Sequence, residues 1–165
     1  MAAKHPGKKP SSPKSPGRSD IAGLKRILVP IDFSEFSKHA LRYAISYAKK
    51  FQAELVLIYV VEPTVYPADF SFGQVGVPGL EQELRQKGRV ELDRLVGEQI
   101  AGEVPARAFV RTGKAFLEII KAAAEENADL IIIATHGHTG VEHLLFGSTA
   151  EKVIRKAGCP VLVVR

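Results

Sequence analysis

The hydrophobic pattern of this chain switches repeatedly between two periods. Short, nearly unbroken apolar runs lie at Arg26 to Ile31, Glu54 to Val61, Asp129 to Thr135 and Cys159 to Arg165, each the length of one strand, and that of Glu54 to Val61 is apolar enough to be buried on both faces. Pro105 to Arg111 alternates instead, with Ala106, Ala108 and Val110 facing one way. Between the runs the spacing becomes helical. Glu35 to Phe51 places Phe36, Ala40, Tyr43, Ala44, Tyr47 and Ala48 on one predicted inward stripe, with Ser34 as N-cap. Leu80 to Ile100 is expected to turn Leu84, Leu92, Leu95 and Val96 inward, with Gly88 and Gly97 weakening it slightly. Thr112, Gly113 and Lys114 lead into a third helix carrying Phe116, Leu117, Ile119, Ile120 and Ala123, which ends near Asn127, a residue that tolerates a left-handed cap. Ser148 to Lys156 is the fourth, with Lys152, Arg155 and Lys156 suiting its carboxyl end and Gly158 stopping it.

Strands that alternate with helices in this way predict an α/β fold, a doubly wound five-stranded parallel sheet with helices on both faces. Pro30 cannot donate to a ladder, so the first strand is expected to end near it. The pattern leaves strand order open. If the first and fourth strands are neighbours, the loops after them share the switch-point crevice where such sheets bind ligands. Those two loops, Pro30 to Ser34 and Ala134 to Gly140, are also the two with unusual chemistry.

Composition changes this picture mainly at the amino end. Of 165 residues with a formal charge of +5, residues 1–20 hold five basic side chains (Lys4, Lys8, Lys9, Lys14, Arg18) and one acid, Asp20. The remainder holds 18 basic and 17 acidic residues, so it has no broad basic face, and a nucleic-acid role would rest on the tail alone. Residues 1–23 read as a disordered Lys/Pro/Ser-rich tail and 24–165 as one domain. The tail is a solvated leader, a basic arm or a phosphorylation segment at Ser12 and Ser15, each followed by proline. No apolar run reaches membrane-spanning length, no apolar stretch follows the first basic residues, and a single Cys builds no disulfide framework; a cytoplasmic setting is expected. Residues 62–79, with exposed-looking Val65, Tyr66, Phe70 and Phe72, are a lid, a partner surface or a plain insertion.

The candidate chemistry lies in two places. Gly137 and Gly140 can adopt the backbone angles of a tight anion-binding turn, and Gly147 allows close approach before Ser148 and Thr149 open a helix. N–H groups and hydroxyls at that helix start suit phosphate oxygens; the plain alternative is an ordinary strand-to-helix connection with a Ser/Thr cap. Asp32, at a strand's carboxyl end, suits ribose hydroxyls or water-held Mg²⁺, or else simply a turn. His136, His138 and His143 lack the His-x3-His spacing of a helical metal pair and have no acid or Cys to complete a tetrahedral set; His136 could touch a phosphate. Cys159 reads as a buried, inert thiol. There is no Walker lysine, dinucleotide glycine triplet or nucleophile elbow, and strong catalysis is not predicted.

Residues 25–165 resemble the universal stress protein family. The resemblance rests on Val29 to Ser34 after the first strand, on Tyr59 and Val60 ending the second, and on the glycine motif running into Cys159 to Val164. The ATP-binding branch of that family carries Gly, two residues, Gly, nine residues, Gly, then Ser or Thr. This chain matches at Gly137, Gly147 and Ser148 and departs at the first position, Ala134, whose methyl narrows the space beside a nucleotide while its N–H stays available. The resemblance implies strand order 3-2-1-4-5. It implies Pro30 and Asp32 on the nucleoside side, Val60 meeting adenine through its backbone, and Ile133 and Ala134 beside base and ribose. Gly137, Gly147, Ser148 and Thr149 would hold phosphates, with a divalent metal accompanying the nucleotide.

The leading expectation is therefore a stress-response module that binds ATP, or AMP or ADP, with Mg²⁺ at the switch point. A nucleotide-free dimeric interaction protein of the same family is the alternative, with Ala134 as its evidence, and a slow ATP hydrolase is the weaker one. In the implied strand order, Val161 to Val164 is an apolar edge, and edge-to-edge pairing into a homodimer would remove that liability.

Overall fold

A computed structural model describes residues 23–62, 79–137 and 147–165. The expectations for the tail, for most of the 62–79 connection and for His138, Gly140 and His143 lie outside these residues. Strand β1 (Arg26–Ile31) is central, followed by helix α1 (Glu35–Phe51), β2 (Glu54–Val61), α2 (Leu80–Leu95) with a π-helical turn over Val96–Ile100, β3 (Ala106–Thr112), α3 (Ala115–Glu125), β4 (Leu130–Ala134), α4 (Ser148–Lys156) and β5 (Val161–Val164). All pairings are parallel and the order is β3-β2-β1-β4-β5, as the family resemblance implied.

Period-2 alternation divides the core between two layers. Ile27, Val29, Leu55, Leu57 and Ile132 face α1 and α2, whereas Leu28, Val56, Ile58, Ile131 and Ile133 face α3 and α4. Each such side chain, fully or nearly fully buried, contributes about 1.5–3 kcal/mol relative to exposure. Ala106, Ala108 and Val110 pack together on the first layer, as their alternation predicted.

The helical stripes differ in part from expectation. On α1 the buried face is Ser37, Ala40, Leu41, Ala44, Ile45 and Ala48, while Phe36 and Tyr43 stand 42% and 47% exposed. Small alanines let the helix lie close to the sheet, and the large rings are left at the sides of the contact. Leu84 and Leu117 likewise face outward. Gly88 is more than a weak helix position. A Cβ there would stand 2.4 Å from the Tyr59 ring, so its missing side chain is what lets α2 cross β2. Ser34 caps α1 by accepting from Ser37 N at 3.2 Å, and Asn127 takes the left-handed conformation with φ 50°.

At the amino ends of the strands, charges are laced together. Glu54 on β2 pairs with Arg107 on β3 at 2.9 Å and with Arg26 on β1 at 3.6 Å. Arg107 also pairs with Glu126 after α3, and Arg26 donates to the Glu126 carbonyl at 2.8 Å. Asp129 Oδ2 accepts from the N–H groups of Lys25 and Arg26, joining β4's approach to β1.

Candidate functional site

Pro30 shapes the opening at the other end of the sheet. The Lys25 carbonyl accepts from Glu54 N, so residues 25, 27, 29 and 31 turn their backbone groups toward β2, and residues 26, 28 and 30 turn theirs toward β4. Pro30 therefore withholds its missing N–H from β4. The β1–β2 ladder runs through Ile31, but the registered β1–β4 ladder holds only Ile27–Leu130 and Leu28–Ile131. The strand ends at Ile31, next to Pro30 as expected, while its registered pairing with β4 ends earlier, at Leu28. The two strand ends part there, and a cleft of about 210 Å³ lies between them.

Asp32 stands at its mouth. Its Oδ1 accepts from Ser34 N at 3.0 Å and from Ser34 Oγ at 2.6 Å, while its own N–H faces Ser37 Oγ at 3.4 Å. This turn requires Phe33 at φ 66°, a conformation aromatic residues rarely adopt. The Phe33 ring rests on Tyr59, with centroids 4.7 Å apart. Burial raises the Tyr59 hydroxyl's pKa, and the nearby charge of Asp32 adds to the shift.

The facing wall is the end of β4. A Cβ at Gly137 would lie 2.4 Å from Asp32 Oδ2, so the glycine brings the two loops into contact. Its φ is not positive, so space rather than the backbone freedom of glycine requires it. Gly147 N donates to the Thr135 carbonyl at 2.7 Å, and a Cβ on Gly147 would sit 3.3 Å from that oxygen. His136 Nδ1 lies 3.0 Å from Thr135 Oγ1, and its ring is 5.8 Å from Phe36.

Three helix amino ends reach the cleft, α1 through Ser37, α3 through Ala115 and α4 through Ser148 and Thr149; Ser34 caps the first. Glu62 Oε1 accepts from Ala115 N at 2.6 Å and so occupies the start of α3. The start of α4 has Gly147 as its cap residue and, among the described residues, no side-chain cap.

Pro30, Asp32, Val60, Ile133, Ala134, Gly137, Gly147, Ser148 and Thr149 all line this one cleft. Sequence reasoning missed Ile31, Ser37, Ile58, Ala115, Ile119, Thr135 and Ala150. Ile58 was within reach of it, since period 2 puts it on the same face as Val60; the α3 residues come in by helix packing and carry no local signal. Ala134 is 7% exposed and belongs to the core layer under α1, whereas Ile133 belongs to the opposite layer. Asp32 is the one lining residue, among those described, with a formal charge at neutral pH apart from the titratable His136. Among the described residues no group of three metal-ligating side chains gathers, and no helix is long and apolar enough to cross a membrane. Cys159 is half-buried, and burial raises its thiol pKa.

The model of the universal stress protein family matches residues 23–165. The chain belongs to the universal stress protein family. One universal stress protein of Methanocaldococcus jannaschii is 36% identical over 144 residues, covering 86% of this chain and 82% of the relative. A second from that organism is 34% identical over 154 residues, covering 86% and 94%. The solved structure of that second protein superposes with a TM-score of 0.74 at 29% identity over 86% of this chain and 96% of its own. Two more distant universal stress protein structures share the fold: one in complex with cAMP (19% identity, TM-score 0.65, 87% and 98% covered) and one from Archaeoglobus fulgidus in complex with dAMP (20%, 0.62, 87% and 99%).

Proposed function

We propose that this universal stress protein binds an adenine nucleotide, ATP with Mg²⁺, in the cleft between β1 and β4 and acts as a nucleotide-dependent regulatory module. The observation that carries the reading is the juxtaposition of Asp32 and Gly137 across an apolar slot that ends at the start of α4, where the cap residue Gly147 brings no side chain. The base lies between Pro30, Val60 and Ile133, and the ribose lies by Asp32 and Ala134. The phosphates lie along Gly137, Gly147, Ser148 and Thr149, where backbone N–H groups and hydroxyls meet them. The methyl of Ala134 packs into the core layer under α1, which favours nucleotide binding over the nucleotide-free alternative. The cAMP and dAMP complexes of distant relatives agree with an adenine nucleotide, but at their distance they share only the fold, and the case rests on this chain's own cleft.

The residues fit a magnesium ion that arrives with the nucleotide. Asp32 brings one carboxylate, and Mg²⁺ sites are commonly completed by phosphate oxygens and water. The ion would offset phosphate charge in a cleft whose own formal charge is negative. Any hydrolysis is slow and incidental. Two copies pair along Val161–Val164, the edge strand of the sheet, and the protein works in the cytoplasm, where Cys159 stays reduced.

Native mass spectrometry and calorimetric titration test the reading together. The expected results are a two-chain mass carrying nucleotide and saturable heat with ATP and Mg²⁺. A ligand at a hundredfold its Kd would add about 2.7 kcal/mol of stability. Absence of both heat and thermal shift at millimolar nucleotide would sink the proposal, and a monomer mass alone would sink the pairing.

A further inference from the structure

The cleft poses an electrostatic problem for a triphosphate. Its described lining offers neutral donors, one titratable ring (His136) and one carboxylate, but no lysine or arginine. Mg²⁺ offsets only part of the charge on three phosphates. A cation on an adjacent element is therefore the natural complement, and α4 carries one.

Lys152 lies four residues after Ser148 and three after Thr149, so it shares their face of the helix. Helical side chains lean toward the amino end, and a lysine stem spans about one pitch, ~5.4 Å. Lys152 is exposed and makes no ion pair among the described residues; its ammonium rests 5.0 Å from the Phe116 ring centroid. Phe116 packs against the core layer beneath α3 and α4 and follows Ala115, which lines the cleft, so the ring holds this charge between the two helices. The acid beside it on the helix, Glu151, is already engaged by Arg155 at 2.9 Å. Lys114, at the start of α3, is the rival cation. The Glu62 carboxylate bound to Ala115 N occupies that helix start and repels an anion there.

We infer that Lys152 is a specificity residue of the nucleotide cleft: it leaves the Phe116 ring to contact the outermost phosphates and favours adenosine triphosphate over adenosine monophosphate. This inference rests on the proposed nucleotide site. Lys156, which also lies over Phe116 at 5.6 Å, is one turn further from the cleft and cannot make the same reach. It supplies the control.

The test is calorimetric titration of the full chain with ATP and with AMP, each with Mg²⁺, at two salt concentrations. Lys152→Gln and Lys152→Met are expected to weaken ATP on the order of tenfold, the scale of one charge-assisted contact, and to leave AMP within about twofold. The salt dependence of ATP binding falls in both variants, Lys152→Arg restores most of the affinity, and Lys156→Gln changes neither ligand. Equal loss for ATP and AMP, no loss in either variant, or the same loss from Lys156→Gln overturns the assignment. Wild-type protein that binds neither nucleotide overturns the site itself, a distinguishable failure.

Discussion

The two ends of this sheet treat charge in opposite ways. At the amino ends, Arg26, Glu54, Arg107 and Glu126 form one connected lattice across three strands and a helix end. At the carboxyl ends, the described cleft lining carries one acidic side chain, a histidine and three helix starts, of which only that of α4 has no side-chain cap among the described residues. Within the lattice each arginine has a carboxylate partner. The start of α4 presents backbone donors with no side-chain cap among the described residues, which suits it to a ligand. On the proposed reading, stabilising groups and binding groups are sorted by strand polarity.

That sorting can be broken from either end. The largest effect is expected from Gly137→Val, which forces a side chain against Asp32 Oδ2 while Ser34 tethers the other carboxylate oxygen. ATP affinity should fall tenfold to a hundredfold, roughly the value of one or two charge-assisted contacts, with a much smaller change in unfolding midpoint; calorimetry and thermal melts check both. Glu54→Ala makes the opposite trade. It strips two arginines of a shared partner and should cost about 1 kcal/mol in denaturant titrations, with ATP affinity within about twofold. A loss of nucleotide affinity in this variant would show that the two ends are coupled.

The smallest effect is in pH. The hydrogen bond from Arg107 holds the Glu126 carboxyl below its ordinary range, against a smaller opposing effect of burial. A folded pKa below the unfolded one contributes stability above the unfolded carboxylate range, and that contribution is lost as pH falls through the folded value. Glu126→Gln should therefore flatten the acid limb of the stability curve and leave neutral-pH nucleotide binding unchanged. An acid limb identical to wild type would remove the lattice from the account of acid unfolding.

Elements with a strong period were legible in the sequence. Strands β1, β2 and β4 are near-continuous apolar runs, and their bounds differ from expectation by at most a residue at either end. Strand order was not in the pattern; it came from the family resemblance. What stayed hidden depends on contacts between distant segments. Gly88 looked like a mild helix defect because the Tyr59 ring it accommodates lies on another element. Gly137 looked like a turn glycine because nothing near it in sequence shows that Asp32 fills the space of its Cβ. Phe33 gave no sign of a left-handed backbone, since that conformation is imposed by the turn between Asp32 and the α1 cap. Phe36 and Tyr43 misled because hydrophobicity ranks a ring above alanine, whereas close helix-to-sheet packing prefers the alanine.

Pro30 also has a mechanical consequence. β1–β2 registers six residue pairs and β2–β3 seven, whereas β1–β4 registers two, so the sheet resembles two plates joined by a narrow seam. Helix α1 packs across that seam, against β1, β4 and β5, and straps it from one side. Under tension or slow thermal breathing, the plates should yield along this line before either tears within itself. A molecule that grips Asp32 on one plate and the start of α4 on the other is then a splint, and its departure returns the sheet to its hinge.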